Sequence, residues 1–458
     1  MLGGDVRIDG KTYAYVAAEF IADLPMGTYT IEARKGTEFY PTFKNFEVTE
    51  ETAVVDIEMN RWVNLAATGW YAGDTHTHFL SEGNALKELR AEDLNVVYVL
   101  AAKWGELITD VDGFTGQPSP RGAESEIVVY NQEARHNWLG HTILHGIDEL
   151  VFPLSWGGPA EGVLGGYDYP PMASQADAAH AQGGLVTWAH FPDPGGELAV
   201  DIGLGKIDTV DLFTWGDAFN NRTLDIYYGF LNTGSRLPVT AGTDKMLNVQ
   251  VVGSVKTYAK VDGSFTYDRW LEALESGRTF VSTGPIIKLR VNGEPIGATL
   301  EASPGELVAI EAEVLAPYSE YPVEKLEIIQ GGEVIAVVAN KSKDLHLTLE
   351  AQVAVEGSTW IAARANGSEL LPMQAWSVSG TLGIPPMAHT SPVYINVAGM
   401  PIWDETVAAA IVASVDSAIN WATNEAKFKT RKQREEVIAL FRKARANYTQ
   451  GPGSTSEQ

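Results

Sequence analysis

The sequence of 458 residues contains no cysteine. Disulfide bonds and thiolate chemistry are therefore excluded, and a metal ion would have to be held by histidine, aspartate and glutamate. Basic residues are also scarce, with 33 Lys and Arg against 59 Asp and Glu, which gives a formal net charge of −26. Because this charge repels phosphate backbones, we expect no nucleic-acid partner. No stretch of the sequence is long and apolar enough to cross a bilayer, so we expect no membrane span.

Hydrophobic patterning divides the chain into four parts. Residues 1–66 and 285–397 contain segments that alternate apolar and polar side chains, which predicts two flanking β-sandwich domains. Residues 67–284 instead contain short continuous apolar runs separated by helical segments, a pattern typical of parallel strands buried on both faces. This alternation predicts an α/β barrel between the sandwiches. Residues 398–458 are predicted to form a helical extension with a disordered tail.

Two histidines one residue apart, His76 and His78, follow a short apolar segment. In a strand their side chains share one face, and two neutral imidazoles suit a Zn, Mn or Fe ion. The alternative is a pair of polar turn histidines without a metal. Glu133, His190 and Asp244 come just after other predicted strands. Barrel enzymes build their sites at the carboxyl ends of strands, so these distant residues can converge.

Five segments, in this order, resemble the CehA/McbA branch of the PHP (polymerase and histidinol phosphatase) metallohydrolases. They are GWYAGDTHTHFLSEG, NQEARHNWLGHTILHG, LVTWAHFPD, LPVTAGTDKM and ESGRTFVSTGP. The resemblance covers roughly residues 69–285 and implies a distorted TIM-like PHP barrel with one to three divalent ions at its carboxyl end. Carried over residue by residue, it implies metal ligands at His76, His78, Glu133, His141, His190 and Asp244.

The chain departs from this family's pattern at two places. A typical second motif ends in Asp-His, but here the sequence reads Ala101-Ala102-Lys103, and Met246 stands where the fourth motif carries a histidine. The loss of two imidazoles predicts one or two ions rather than three, with Zn expected first and Mn or Fe as alternatives. We further predict that Lys103 or Lys245 supplies the positive charge of the absent ion and steers the substrate. Two solvated loop lysines are the alternative.

Other candidates are less specific. His145 competes with His141 for the position of the third-motif ligand. Trp104 and Asp217 lie near predicted strand ends and could contact substrate, although aromatic residues more often lie in a core. Catalytic roles are predicted for Lys103, His141 and Asp244, in stabilising the oxyanion, protonating the leaving group or holding the ion.

With the resemblance, these residues predict a metal-dependent hydrolase that uses metal-activated water on an ester, carbamate or amide bond of a small molecule. A PHP-type phosphoesterase and a non-catalytic metal- or ligand-binding module with a degenerate site are the alternatives. The flanking sandwiches resemble those of exported proteins, so we expect a periplasmic or extracellular location. The first residues, 1–4, are too short and polar for a signal peptide, which leaves a cytoplasmic protein as the alternative.

Overall fold

The computed structural model describes residues 5–8, 11–51, 54–158, 162, 166–213, 221–377 and 380–451. Within these ranges the protein is a mixed α/β structure that consists mostly of sheet, with seven α-helices and one sheet of 17 strands. No described helix combines the length and the hydropathy that a membrane crossing needs.

The N-terminal part contains four short strands. They are β1 (Val6–Ile8), β2 (Lys11–Tyr13), β3 (Gly27–Ala33) and β4 (Thr42–Val48). β1 pairs with β2 and β3 pairs with β4, both antiparallel, and each pair is a separate two-stranded sheet. The β-sandwich expected for residues 1–66 stays a prediction, since these strands pair only two by two.

The central part supplies eleven strands and five helices. The strands are β5 (Trp70–Thr77), β6 (Val96–Trp104), β7 (Leu107–Thr109), β8 (Ile127–His136), β9 (Gly140–His145), β10 (Ser155–Trp156), β11 (Leu185–Trp188), β12 (Thr209–Asp211), β13 (Val239–Thr240), β14 (Lys256–Lys260) and β15 (Thr279–Ser282). The helices are α1 (Glu82–Ala91), α2 (Met172–His180), α3 (Leu198–Gly203), α4 (Asn221–Leu231) and α5 (Tyr267–Glu275).

Parallel and antiparallel pairing are mixed among the central strands. β5, β6 and β8 run parallel, as do β11, β12 and β13, and β9 lies antiparallel between β8 and β11. Continuous apolar runs mark these strands because both faces are covered, and every residue of the segment 96–102 is buried. β14 pairs antiparallel with β5 on the opposite side from β6.

The two ends of this array, β13 and β14, meet through a side chain. The amide of Ala241 donates to the Thr257 hydroxyl oxygen at 2.7 Å, and that hydroxyl donates to the Ala241 carbonyl oxygen at 3.0 Å. This contact lies directly after β13, which is only two residues long. The TIM-like barrel therefore stays a prediction, although the parallel strands bring their carboxyl ends to one edge.

The C-terminal part contains twelve strands and two helices. The strands are β16 (Ile286–Val291), β17 (Glu294–Pro295), β18 (Thr299–Ala302), β19 (Glu306–Leu315), β20 (Lys325–Gln330), β21 (Glu333–Ala339), β22 (His346–Val355), β23 (Thr359–Asn366), β24 (Leu371–Ser377), β25 (Gly380–Ile384), β26 (Met387–Thr390) and β27 (Val393–Val397). The helices are α6 (Glu405–Asn424) and α7 (Arg431–Gln450).

These strands divide among three sheets, of which the smallest is the antiparallel pair of β24 and β25. β17, β16, β19 and β22 form an antiparallel sheet of four, in which β19 alternates buried and exposed residues. β26 pairs with β15, so the large sheet runs from the central part into the C-terminal part. α6 and α7 occupy the predicted helical extension, and their apolar stripes, with Val415 and Phe441 fully buried, pack into the largest core cluster.

Candidate metal centre

Asp74 joins β5 to the loop that carries Asp244. Its carboxylate accepts hydrogen bonds from the amides of His76 (3.1 Å), Thr243 (3.0 Å) and Gly253 (2.8 Å), and from the Thr243 hydroxyl (2.7 Å). These bonds hold the end of β5 against the segment that follows β13. Asp244 itself has a left-handed backbone with φ 48°. Such strain outside glycine is kept where the surrounding structure fixes a functional geometry.

The first cluster consists of His76, His78 and Asp244, all buried. Nε2 of His76 lies 3.3 Å from Oδ1 of Asp244, and Nε2 of His78 lies 3.5 Å from the same oxygen. One donor atom from each residue falls within 4.8 Å of the others. His76 lies on β5 and His78 directly follows it, and the His-x-His spacing brings both imidazoles to the same side of the chain, as the alternation of strand side chains predicts.

The second cluster consists of Glu133, His141 and His190, which are also buried and meet the same distance limit. Oε1 of Glu133 lies 3.3 Å from Nδ1 of His141 and 3.6 Å from Nε2 of His190. The other carboxylate oxygen, Oε2, lies 3.3 Å from Nε2 of His78. Glu133 therefore stands between the two clusters, which together contain all six residues that the resemblance implied.

Three of these histidines are oriented by a partner on the ring nitrogen that faces away from the clusters. Nδ1 of His76 lies 3.1 Å from a carboxylate oxygen of Asp211, and Nδ1 of His78 lies 3.3 Å from the carbonyl oxygen of Leu100. Nδ1 of His190 makes a short contact with the carbonyl oxygen of Asp193. A hydrogen on Nδ1 leaves the Nε2 lone pair directed inward, which is the arrangement of metal-ligating histidines.

Several side-chain atoms that could bind a metal ion at the centre make no hydrogen bond. Nε2 of His76, Nε2 of His78 and Oε1 of Glu133 are buried and lack a hydrogen-bond partner in the described structure. A buried polar atom left unpaired costs free energy, so such atoms need an explanation. A divalent cation coordinated by imidazole nitrogens and carboxylate oxygens would provide a partner for all three atoms. The residues present therefore fit a metal ion.

Charge at the centre favours a cation. Burial lowers the pKa of His76, but the nearby carboxylates, Asp244 foremost, outweigh burial and raise it to about 9. Burial alone would raise the pKa of Glu133, yet the Arg135 guanidinium and the adjacent imidazoles hold it well below its usual range. The carboxylates around His76 therefore favour a positive charge at this position.

Arg135, two residues after Glu133 on β8, is a candidate functional residue that sequence reasoning missed. Its guanidinium is buried and forms an ion pair with Oε2 of Glu133. The guanidinium carbon also lies 4.5 Å from the centre of the Trp104 ring. Residues i and i+2 of a strand share a face, so the sequence contained this signal once β8 was recognised. Arg135 is a positive charge beside the clusters, whereas the charge expected from a lysine stays a prediction.

The two lysines are placed differently. Lys245 is buried, and its ammonium donates to the carbonyl oxygens of Gln250 (2.6 Å) and Leu247 (3.2 Å) and lies 3.4 Å from Glu88. The two carbonyl oxygens use two of its three donors, and the substrate-binding role expected of Lys245 stays a prediction. Lys103 is half-buried on β6, and its described contacts include none of the six clustered residues. Its catalytic role stays a prediction.

Aromatic side chains line one side of the centre. Trp104 stacks on Phe79, with ring centres 5.3 Å apart, and meets His78 edge-on at 4.9 Å. Phe79 is 44% exposed, so this pair leads from solvent towards the first cluster. The position of Trp104 agrees with the expected substrate-binding wall, which stays a prediction. Asp217, the remaining substrate-binding candidate, lies outside the described residues.

The direction of β9 separates His141 from His145. Because β9 runs antiparallel to β8 and β11, its first residues lie at the carboxyl ends of those strands, and its last residues lie at the opposite edge. His141 therefore joins the second cluster. His145 instead lies 2.6 Å from the Thr187 hydroxyl, and burial lowers its pKa to about 3.

No family model and no curated protein matches the chain. Among solved structures, the chain is similar to the crystal structure of PfuEndoQ, a lesion-specific endonuclease from Pyrococcus furiosus. That match has a TM-score of 0.29 and 14% sequence identity, and it covers 45% of this chain. It spans 56% of the endonuclease chain, about half of its length. A likeness of this size carries no argument about fold or function, so the resemblance to the CehA/McbA branch stays a prediction.

Proposed function

We propose that this protein is a metal-dependent hydrolase of the CehA/McbA type, with a centre that holds one or two divalent ions. The observation that carries the proposal is the meeting of four imidazoles around one buried carboxylate. Both oxygens of Glu133 lie 3.3–3.7 Å from ring nitrogens of these histidines. The ligands come from β5, β8 and β9 and from the segments after β11 and β13, so the fold is needed to assemble them.

His76, His78 and Asp244 would hold one ion, and Glu133, His141 and His190 would hold the other. When bound, such ions acidify water and polarise the oxygen of a scissile carbonyl or phosphoryl group. Asp211 keeps the His76 ring turned so that Nε2 faces inward. Arg135 fixes Glu133 through one carboxylate oxygen and leaves Oε1 towards His141 and His190.

The substrate in this proposal is a small ester, carbamate or amide. The Phe79–Trp104 pair gives the mouth of the centre an apolar wall, which suits an uncharged organic group. The net charge of −26 disfavours a nucleic acid. We place Lys103 beside the substrate as the group that stabilises the oxyanion or protonates the leaving group. A periplasmic or extracellular location stays a prediction.

A matched pair of variants tests the proposal, because His141 and His145 lie on the same strand at its two ends. The purified protein is analysed for bound metal by elemental analysis. It is then assayed with chromogenic carboxyl esters, carbamates, amides and phosphate esters. We expect metal and turnover in the unaltered chain and in His145→Ala. His141→Ala should lose metal and at least 100-fold of the turnover, as expected when a ligand is removed.

Each other result has a distinct meaning. Turnover of phosphate esters alone would favour the phosphoesterase, and bound metal with no turnover on any ester would favour a binding module. A protein that binds no ion when supplied with Zn or Mn would refute the proposal.

A further inference from the structure

A cavity of about 50 Å³ lies where three parts of the chain meet, away from the metal centre. Its lining comes from segment 34–41, from the residue after α1, from segment 251–256 and from Tyr318 and Leu371. None of the residues in the first or second cluster lines it. A water molecule needs roughly 10–15 Å³ of cavity volume, so the cavity has room for about three to five water-sized groups.

Lys256, at the start of β14, is the most unusual residue of this cavity. Its side chain is only 2% exposed, and its ammonium donates a hydrogen bond of 2.9 Å to the Thr37 hydroxyl oxygen. An ammonium has three N–H donors, and the described contacts give this one a single hydrogen bond. Burial lowers the pKa of Lys256, while carboxylates led by Glu92 and Glu38 favour its charged form.

The cavity reverses the charge balance of the chain. Three basic residues, Arg34, Lys35 and Lys256, line it against one acidic residue, Glu92, although acidic residues far outnumber basic ones in the sequence as a whole. Lys35 is only loosely paired, with its ammonium 3.8 Å from Asp93. Arg34 forms a closer ion pair of 2.8 Å with Glu32, which does not line the cavity. Burial raises the pKa of Glu92 to about 7, so near neutrality this carboxyl is in part a hydrogen-bond donor rather than a charge.

Backbone at the cavity is also closely fitted. Gly36 has φ 52°, and a Cβ at this position would lie 2.2 Å from the carbonyl oxygen of Glu92. Glycine is therefore required for segment 34–41 to approach the end of α1. This approach brings Arg34 and Thr37 to the cavity that Lys256 lines from the other side.

We propose that this cavity is a binding site for a small oxyanion, with Lys256 and Arg34 as its cationic donors. An oxyanion with two to four oxygens matches the volume, and the buried ammonium of Lys256 offers it a cationic donor. Free inorganic oxyanions and the carboxylate of an organic molecule share this chemistry. No residue of the two clusters lines the site, so it is distinct from the proposed hydrolytic centre.

Isothermal titration of the metal-loaded full chain with sulfate and, separately, with acetate tests the proposal. Ionic strength is held constant with chloride, so that general salt effects cancel. We expect saturable binding of at least one anion, and the stronger binder distinguishes an inorganic oxyanion from a carboxylate. Lys256→Met should weaken that binding at least tenfold. Lys260→Met, a change on the same strand at a lysine that donates to Thr68 outside the cavity, should leave it unchanged.

Two further variants keep the test decisive. Arg34→Gln should also weaken binding, and it replaces Lys256→Met should that protein fail to fold. His76→Ala should bind the anion as the unaltered chain does, because it alters only the metal centre. Absence of saturable binding in the unaltered chain would overturn the proposal. Binding that survives both cavity substitutions, or that disappears in His76→Ala, would overturn it as well.

Discussion

Nδ1 of His76 lies 3.1 Å from a carboxylate oxygen of Asp211, and both side chains are fully buried. Asp211 ends β12, whereas His76 belongs to β5, so the pair joins opposite sides of the strand array. A carboxylate behind a histidine fixes the ring and strengthens the other nitrogen as a ligand. Asp211 thus acts on the metal centre without belonging to either cluster.

Replacement of Asp211 by asparagine is expected to weaken metal binding by about 10–100-fold, the effect of removing such a partner from a ligating histidine. Titration of the metal-free protein with Zn or Mn measures it. Asp208→Asn is the control, because Asp208 also pairs with a histidine, His180, at 2.8 Å but outside the clusters. Equal affinity in Asp211→Asn and the unaltered chain would show that His76 needs no such partner.

Substitution of Arg135 separates its electrostatic role from metal binding. Arg135→Met breaks the buried ion pair with Glu133 and should destabilise the metal-free protein by about 3–5 kcal/mol. Added metal should recover more stability in this variant than in Arg135→Lys, because an ion neutralises the stranded carboxylate. Thermal melting with and without metal checks this. If Arg135→Met lowers the melting temperature equally with and without metal, no ion reaches Glu133.

The catalytic role predicted for Lys103 is supported by no described contact with the clustered residues. If this lysine stabilises the oxyanion, Lys103→Met should lower kcat at least 100-fold and leave metal content and melting temperature unchanged. Steady-state kinetics on the best ester substrate measures the change. Lys87→Met, at a partly exposed lysine of α1 that pairs with Asp5, is the control. Full activity of Lys103→Met would identify Lys103 as a solvated residue.

The sequence carried enough information to find the six clustered residues but not their surroundings. His76 and His78 follow from strand alternation, and Glu133, His190 and Asp244 follow from their positions after apolar runs. The choice of His141 over His145 depended on the antiparallel direction of β9, which local periodicity does not reveal. Asp211 was missed because a lone aspartate at the end of a short strand has no spacing signal.

Prediction of the fold was also limited, because local periodicity does not reveal which strands pair. Alternating and continuous apolar runs identified strands of the central and C-terminal parts because each pattern reports the burial of its own faces. Neither pattern reports which distant strand lies beside it. The pairing of β15 with β26 carries the large sheet across residue 284, where the sequence suggested a domain boundary. That boundary, like the other domain limits, stays a prediction.

A pair of buried carboxyl groups makes stability depend on pH. Burial raises the pKa of Asp201 well above its usual value, and the charge of Glu197 adds to the effect. Burial likewise raises the pKa of Glu197, while the amides of Met172 and Ala173 donate to it and oppose the rise. Between the ordinary pKa values of these carboxyls in the unfolded chain and their raised values in the folded protein, the folded state binds more protons. Stability therefore falls as pH rises above the ordinary carboxyl pKa of about 4.

Asp201→Asn removes one of these groups and should stabilise the protein at pH 8. The gain is about 1.4 kcal/mol for each unit by which the folded pKa of Asp201 exceeds its unfolded value. Below pH 4 the gain should vanish, because the aspartic acid is then protonated in both states. Urea unfolding between pH 4 and pH 8 measures the difference, and Asp225→Asn, at an exposed aspartate of α4, gives the baseline. A gain that does not depend on pH would mean that Asp201 is ionised in the folded protein throughout this range.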